Sequence, residues 1–136
     1  MATNIMRFVI PKSLVQYITA ESTVRQALEK MLFHKYSTIP VIEKNGEYVG
    51  TLRSDDVFRY FMEAGHFDKS SAEDIPVTNI MRSSAKPLFH TSTIKDLIEE
   101  VKEHNSVSVV DDRGVFIGLI LRRDVLNFLL KDFKDE

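Results

Sequence analysis

Apolar residues recur along the chain in two alternating rhythms. Val24, Ala27, Leu28, Met31 and Leu32 fall at i, i+3, i+4, i+7 and i+8, which predicts a helix. Ser22 or Thr23 can cap its start. Ser37–Ile42 then reads as a short apolar strand, Asn45-Gly46 as a hairpin turn and Tyr48–Leu52 as the returning strand. Ser54 is a good N-cap for the next helix, with Asp55 and Asp56 in its first turn, where carboxylates suit the helix dipole. That helix carries Val57, Phe58, Phe61 and Met62 and stops near Gly65. Residues Gly65–Pro76 are polar and connect to a second half with the same order. Ile94, Leu97, Ile98 and Val101 mark a helix, Val107–Val110 a strand and Asp112-Arg113-Gly114 a turn. Val115–Leu121 is almost continuously apolar and is expected to be buried on both faces. Val125, Leu126, Leu129 and Leu130 mark the last helix. With short strands near Tyr17–Ile18 and Leu88–Phe89, each half reads strand, helix, strand, strand, helix.

The halves also share residues. Thr-Asn-Ile-Met-Arg occurs at Thr3–Arg7 and again at Thr78–Arg82. Ser22-Thr23-Val24 is answered by Ser92-Thr93-Ile94, 70 residues on, and Gly46–Gly50 by Gly114–Gly118, 68 residues on. Asp56-Val57 is answered by Asp124-Val125 at that same spacing. Such self-similarity marks a duplicated supersecondary unit that buries its apolar face against its twin. Seams between packed units are preferred ligand sites. Each half alone has about the size at which a core is marginal, so one folding unit built from two halves is expected.

Composition narrows the function classes. The 136 residues carry a net charge of −2, which argues against sequence-independent nucleic-acid binding. There is no cysteine, so disulfides, thiolate catalysis and Cys-ligated zinc are excluded. No apolar run reaches the roughly 18 residues of a membrane span, and no secretory signal is visible. A cytoplasmic location is the expectation. His34 and His104 fall at helix ends, where they suit the dipole. His66 and His90 join no constellation, and Asp111-Asp112 fits a turn. Neither a nucleophile–base arrangement nor a Gly-rich phosphate loop is present.

These residues resemble a pair of CBS domains, the cystathionine-β-synthase-type tandem repeat also called a Bateman module. The resemblance rests on Ile5-Met6 and Ile80-Met81 opening the repeats and on the Ile39-Pro40-Val41 strand. It rests also on the closing frames Gly50–Asp56 and Gly118–Asp124, each a Gly, apolar residues and an Asp before a helix. Ile10-Pro11-Lys12-Ser13 followed by Arg25–Met31 is similar to small stand-alone CBS-pair proteins of Firmicutes-type bacteria. The implied fold is α/β: two pseudo-symmetric β-α-β-β-α repeats packed as one module. Residues 1–66 form repeat 1, 67–76 a linker and 77–136 repeat 2.

The resemblance implies adenine nucleotide binding between the repeats, with AMP, ADP, ATP or cyclic di-AMP as ligand, and no cofactor, metal or catalytic role. The ribose would fall to Asp124 and Asp56. Backbone and side chains of Tyr17, Ile18, Ile39, Pro40, Phe89, Val107 and Ser108 would hold the adenine. Tyr17, Phe89 and Phe116 read first as core aromatics, with the adenine pocket as the alternative for Tyr17 and Phe89. The chain departs from the family where Arg53 and Leu121 replace the Ser/Thr of the closing motif, and where Ser108 replaces proline. Arg122 and Arg123 open a helix whose N-terminus repels cations. Either they are solvated charges balanced by Asp124 and Asp112, or they bind a phosphate, with Arg53 as a weaker candidate. Two functions stay open: a nucleotide-sensing regulatory module, or a protein–protein interaction module with degenerate sites. The wide apolar arcs of the second and fourth helices point to a homodimer.

Overall fold

The computed structural model describes residues 4–65, 69–82 and 86–134. In chain order the elements are β1 (Ile10–Pro11), β2 (Ile18–Thr19), α1 (Val24–His34), β3 (Thr38–Ile42), β4 (Tyr48–Arg53), α2 (Ser54–Ala64), β5 (Leu88–Phe89), α3 (Ile94–Glu103), β6 (Ser106–Val110), β7 (Phe116–Leu121) and α4 (Arg122–Lys134). Single 3₁₀ turns lie at Ile5–Phe8, Lys12–Leu14, Lys69–Ala72 and Val77–Asn79. Both halves follow the order strand, helix, strand, strand, helix, and the first half adds a strand the periodicity did not indicate, β1.

The chain forms two compact units that cut across the sequence repeats: residues 16–84, and residues 1–15 with 85–136. In the unit of residues 16–84 the sheet order is β2-β3-β4, with β2 parallel and β4 antiparallel to β3. Thr23 caps α1 by accepting the Gln26 N–H, and the Gln26 side chain accepts the Thr23 N–H in return. The core joins Val24, Ala27 and Met31 of α1 to Ile39, Val41 and Leu52 of the sheet and Val57 and Phe61 of α2. Val77 and Ile80, from the second copy of the pentapeptide region, are buried in this same core. Their segment is tied to the start of α1, where Val24 N–H donates to Ile75 O at 2.7 Å and Val77 N–H to Ser22 O at 2.9 Å.

In the other unit the sheet order is β1-β7-β6-β5. The first copy of the pentapeptide serves this unit: Ile5 and Phe8 are buried with Leu97, Val101, Val107, Val109, Ile120 and Val125. The Phe8 ring meets Phe128 of α4 edge-on at 5.3 Å. Burying a large apolar side chain gains about 1.5–3 kcal/mol. Ile5 and Phe8 therefore anchor the N-terminal strap more firmly than the two-residue β1–β7 ladder does. A side chain on Gly118 would collide with that strap, because an ideal Cβ there lies 2.4 Å from Ile10 O.

Three expectations are corrected. β7 is not buried on both faces: Phe116, Gly118 and Ile120 are buried, while Ile117, Leu119 and Leu121 are half-buried. This is the alternation of an antiparallel strand with one packed face. Ser54 is the first residue of α2 rather than its cap; Arg53 occupies the N-cap position with extended backbone. Phe116 is a core aromatic, but Phe89 is exposed and Tyr17 half-buried.

Candidate functional site

The closing frames begin the site. In each, the second hairpin strand runs directly into a helix, and the junction is pinned by one backbone bond. Ser54 N–H donates to Ser37 O at 2.9 Å, and Arg122 N–H donates to Asn105 O at 2.8 Å. Beyond that bond the two junctions differ. Asp56 accepts the Arg53 N–H at 3.0 Å and pairs with the Arg59 guanidinium at 2.8 Å. Arg59 also donates to Ile80 O at 3.3 Å. The Asp56 side chain is only 4% exposed. This carboxylate is taken up by helix capping and a local ion pair, not presented to solvent.

Asp124 holds the same place on α4, and its side chain is 38% exposed. Arg123 Nε lies 3.9 Å from it, beyond good hydrogen-bond distance. Arg123 itself is largely exposed. Arg122 turns elsewhere: its Nε donates to Val101 O at 2.7 Å and a terminal nitrogen to Lys102 O at 3.4 Å. Those carbonyls lie in the last turn of α3, the negative end of that helix's dipole. The cation that looks misplaced on α4 is thus well placed for α3.

The strand candidates divide by face. Ile39 and Val107 are core members, so their side chains are spent on packing. Pro40 and Ser108, the next residues, are buried outside those clusters. Ser108 Oγ is buried and meets no hydrogen-bond partner among the described residues. Buried hydroxyls are nearly always paired, and an unmet one costs about 1–3 kcal/mol. The short parallel strands leave room beside these positions. β2 pairs only with Val41 and Ile42 of β3, and β5 only with Val109 and Val110 of β6. Pro40 has no N–H to offer there, whereas Ser108 brings an N–H, a carbonyl and a hydroxyl.

Tyr17 and Ile18 line an open depression of about 560 Å³ with Thr19, Glu21, Ser22, Gln26 and Lys30. Lys30 Nζ donates to Tyr17 O at 2.7 Å. Ile39, Pro40, Arg53 and Asp56 do not line it. Arg59 escaped the sequence reading, although its i+3 spacing from Asp56 signals a pair. So did the partner of His90, whose Nε2 lies 3.1 Å from Asp112 Oδ1. His66 lies outside the described residues. His34 is the last residue of α1 and His104 caps α3, as their spacing implied. Among the described residues no three His, Asp or Glu side chains cluster as a metal site, and no helix is long and apolar enough to cross a membrane.

A family model described as CBS domain matches residues 5–63 and again residues 77–131. Among curated proteins, the uncharacterized protein MJ1225 of Methanocaldococcus jannaschii is 28% identical over 142 residues, covering 96% of this chain and 50% of that protein. The chain spans between 22% and 50% of the curated relatives it matches. Among solved structures, a Listeria monocytogenes CbpB protein in complex with c-di-AMP superposes with a TM-score of 0.88 at 19% identity, covering 98% of this chain and 100% of that one. CBSX2 in complex with AMP superposes with a TM-score of 0.75 at 22% identity, covering 94% and 96%.

Proposed function

The chain belongs to the CBS-domain family, and from that premise we propose that it is a regulatory module sensing an adenine nucleotide. Neighbours of the same fold hold c-di-AMP and AMP, which supports adenine as the recognised base. The observation that carries the reading is the unspent chemistry of the second repeat. A buried Ser108 hydroxyl has no partner among the described residues, and the Asp124 carboxylate is half-exposed at a helix start. In this reading Asp124 accepts the ribose hydroxyls and Arg123 pairs with phosphate. The Val107–Ser108 backbone and the Ser108 hydroxyl meet the adenine edge. Asp56 is already paired with Arg59, so the first repeat has no free carboxylate to act as a second ribose acceptor.

Binding changes the population of two packings and so the surface offered to a protein partner. Self-association as a homodimer belongs to the same reading. The module is no enzyme: incubated with ATP, it returns the nucleotide unchanged.

Thermal-shift titration with AMP, ADP, ATP and cyclic di-AMP tests the proposal. At 100 times its dissociation constant a ligand stabilises the fold by about 2.7 kcal/mol. Arg123→Ala should weaken the responding nucleotide by roughly 10- to 150-fold, as expected for a charge-assisted bond of about 1.5–3 kcal/mol, with the unliganded fold unchanged. Arg122→Ala should instead lower the stability of the unliganded protein by about 1 kcal/mol, because it removes bonds to α3 carbonyls. Silence across the panel would overturn nucleotide sensing and leave the interaction module as the function.

A further inference from the structure

The depression beside β2 takes no part in the nucleotide reading, and its charge is unbalanced. Its lining residues all fall between Tyr17 and Lys30, so it belongs wholly to the unit of residues 16–84. β2 is the end strand of its sheet. Ala20 N–H turns inward and donates to Ile42 O at 2.8 Å. Successive residues of a strand turn their N–H and C=O groups to opposite sides, so Tyr17 and Thr19 present theirs along the open edge. There Lys30 Nζ donates to Tyr17 O at 2.7 Å and Ser22 N–H to Thr19 O at 2.9 Å. The Thr19 N–H points the same way, and no strand of the sheet lies beyond it.

Two charged side chains line the depression. Glu21 is exposed and pairs with Lys44 at 3.2 Å. Lys30 is half-buried and meets no carboxylate among the described residues. Its ammonium is steadied by Tyr17 O and lies 6.0 Å from the Tyr17 ring, which leaves two of its three donors unused. Partial burial raises the cost of such an unpaired charge. The Thr19 and Ser22 hydroxyls lie 3.4 Å apart, a long contact that either can give up to a better acceptor. Protection of the sheet edge accounts for the bond to Tyr17 O. It does not account for an unpaired cation in one depression with two loosely held hydroxyls.

We propose that this depression binds a phosphate monoester of a sugar or polyol. The Lys30 ammonium, the Thr19 N–H and the Thr19 and Ser22 hydroxyls donate to the phosphate oxygens. At about 560 Å³ the depression falls in the size range of small-molecule sites, larger than the phosphate alone requires. Gln26 and Glu21 line it too and offer partners to the hydroxyls of the carrier, while the Tyr17 ring gives one apolar wall. The site is additional to the nucleotide reading and does not rest on it.

Titration of the full chain with glycerol phosphate, inorganic phosphate and acetate, followed by its amide resonances, tests the proposal. Both phosphates should move the Thr19 and Ser22 amides, glycerol phosphate at the lower concentration, and acetate should leave them in place. Lys30→Gln keeps a donor for Tyr17 O and removes the charge. It should weaken glycerol phosphate binding at least tenfold with an unchanged circular dichroism spectrum. Lys30→Arg restores the charge and should retain most of the binding. Thr19→Val keeps the N–H and the volume but loses the hydroxyl, and should weaken binding several-fold. The thermal response to nucleotide should be the same in Lys30→Gln as in the parent. Phosphates that move neither amide overturn the proposal, and so does a Lys30→Gln variant that binds glycerol phosphate like the parent. Acetate acting as strongly as phosphate overturns the phosphate assignment in favour of a carboxylate. Loss of the nucleotide response in Lys30→Gln overturns the separation of this site from the nucleotide site. A chain that binds glycerol phosphate through Lys30 but ignores every nucleotide keeps this site and sinks the sensing function alone.

Discussion

Seven residues close the first sheet, Gly50 to Asp56, and seven close the second, Gly118 to Asp124. They share a frame but distribute its tasks differently. In the first, Asp56 is sealed by Arg59; the residue at the matching place in the second is Asn127, which brings no charge. Asp124 therefore stays half-exposed. Arginine moves in compensation, from the third residue after the aspartate to the two residues before it. There Arg122 satisfies the end of α3 and Arg123 is left in solvent. The glycines diverge as well. Gly50 faces the tip of the Met81 side chain, and Gly118 faces the backbone of the N-terminal strap. Duplication has kept the geometry and divided the side chains differently: in one frame the aspartate is spent inside the fold, and in the other it reaches solvent.

The aspartates are the sharpest way to break this comparison. Asp56→Ala removes a buried acceptor from the Arg53 N–H and leaves Arg59, itself one-third exposed, without its carboxylate. Removing one partner of a buried pair costs about 3–5 kcal/mol, and the exposure of Arg59 reduces that here to about 2–3 kcal/mol. Asp124→Ala gives up mainly a dipole interaction, about 0.3–1 kcal/mol. Urea denaturation of the two variants should show this gap. Equal losses would mean that both aspartates are structural.

The glycines come next. A Cβ at position 118 lies 2.4 Å from both Ile10 O and Val9 Cγ1, so the strap must shift. Overpacking of this kind costs about 1–3 kcal/mol. A Cβ at position 50 meets only Met81 Cε, at 2.8 Å, and that flexible terminus can swing aside. Gly50→Ala should lie within about 0.5 kcal/mol of the parent, since alanine also loses less backbone entropy in a strand. Amide hydrogen exchange adds a local readout: Gly118→Ala should speed exchange across residues 5–11, and Gly50→Ala should not.

Much of this was legible in the residues. The alternation of periods gave the four helices and the hairpin strands of both repeats in order, because each element buries one face and that face must be apolar, but it gave no sign of β1. Thr23 with Gln26 and Thr93 with Asp96 form capping boxes where the sequence has a hydroxyl three residues before a long or acidic acceptor. Three things were not legible. The exchange of the pentapeptide segments between units is a tertiary choice: Ile5 and Ile80 look alike in sequence, and only packing decides which core each enters. The sealing of Asp56 depends on Arg59 reaching both the carboxylate and Ile80 O, a contact 21 residues away. The attachment of Arg122 to α3 depends on carbonyls 20 and 21 residues upstream, which no local pattern announces.

The smallest expected effect separates the two hairpin turns by charge. In the first, Glu47 N–H donates to Asn45 Oδ1 at 3.0 Å, a neutral acceptor that does not titrate. In the second, Asp111 Oδ1 accepts from Arg113 N–H at 2.8 Å and Val115 N–H at 3.0 Å. The bond from Val115, with help from Arg113 and His90, holds the Asp111 carboxyl below the ordinary carboxylate value. The folded protein thus binds this proton less tightly than the unfolded chain does. The turn's contribution is complete at neutral pH and is lost as pH falls through the lowered value. Asp111 is solvent-accessible, so the effect is local and small. The amide resonances of Arg113 and Val115 should titrate together in acid. In Asp111→Asn the same two amides should stop responding to this titration. Persistence of the response in that variant would assign it to another group, and the two turns would then be equivalent in acid.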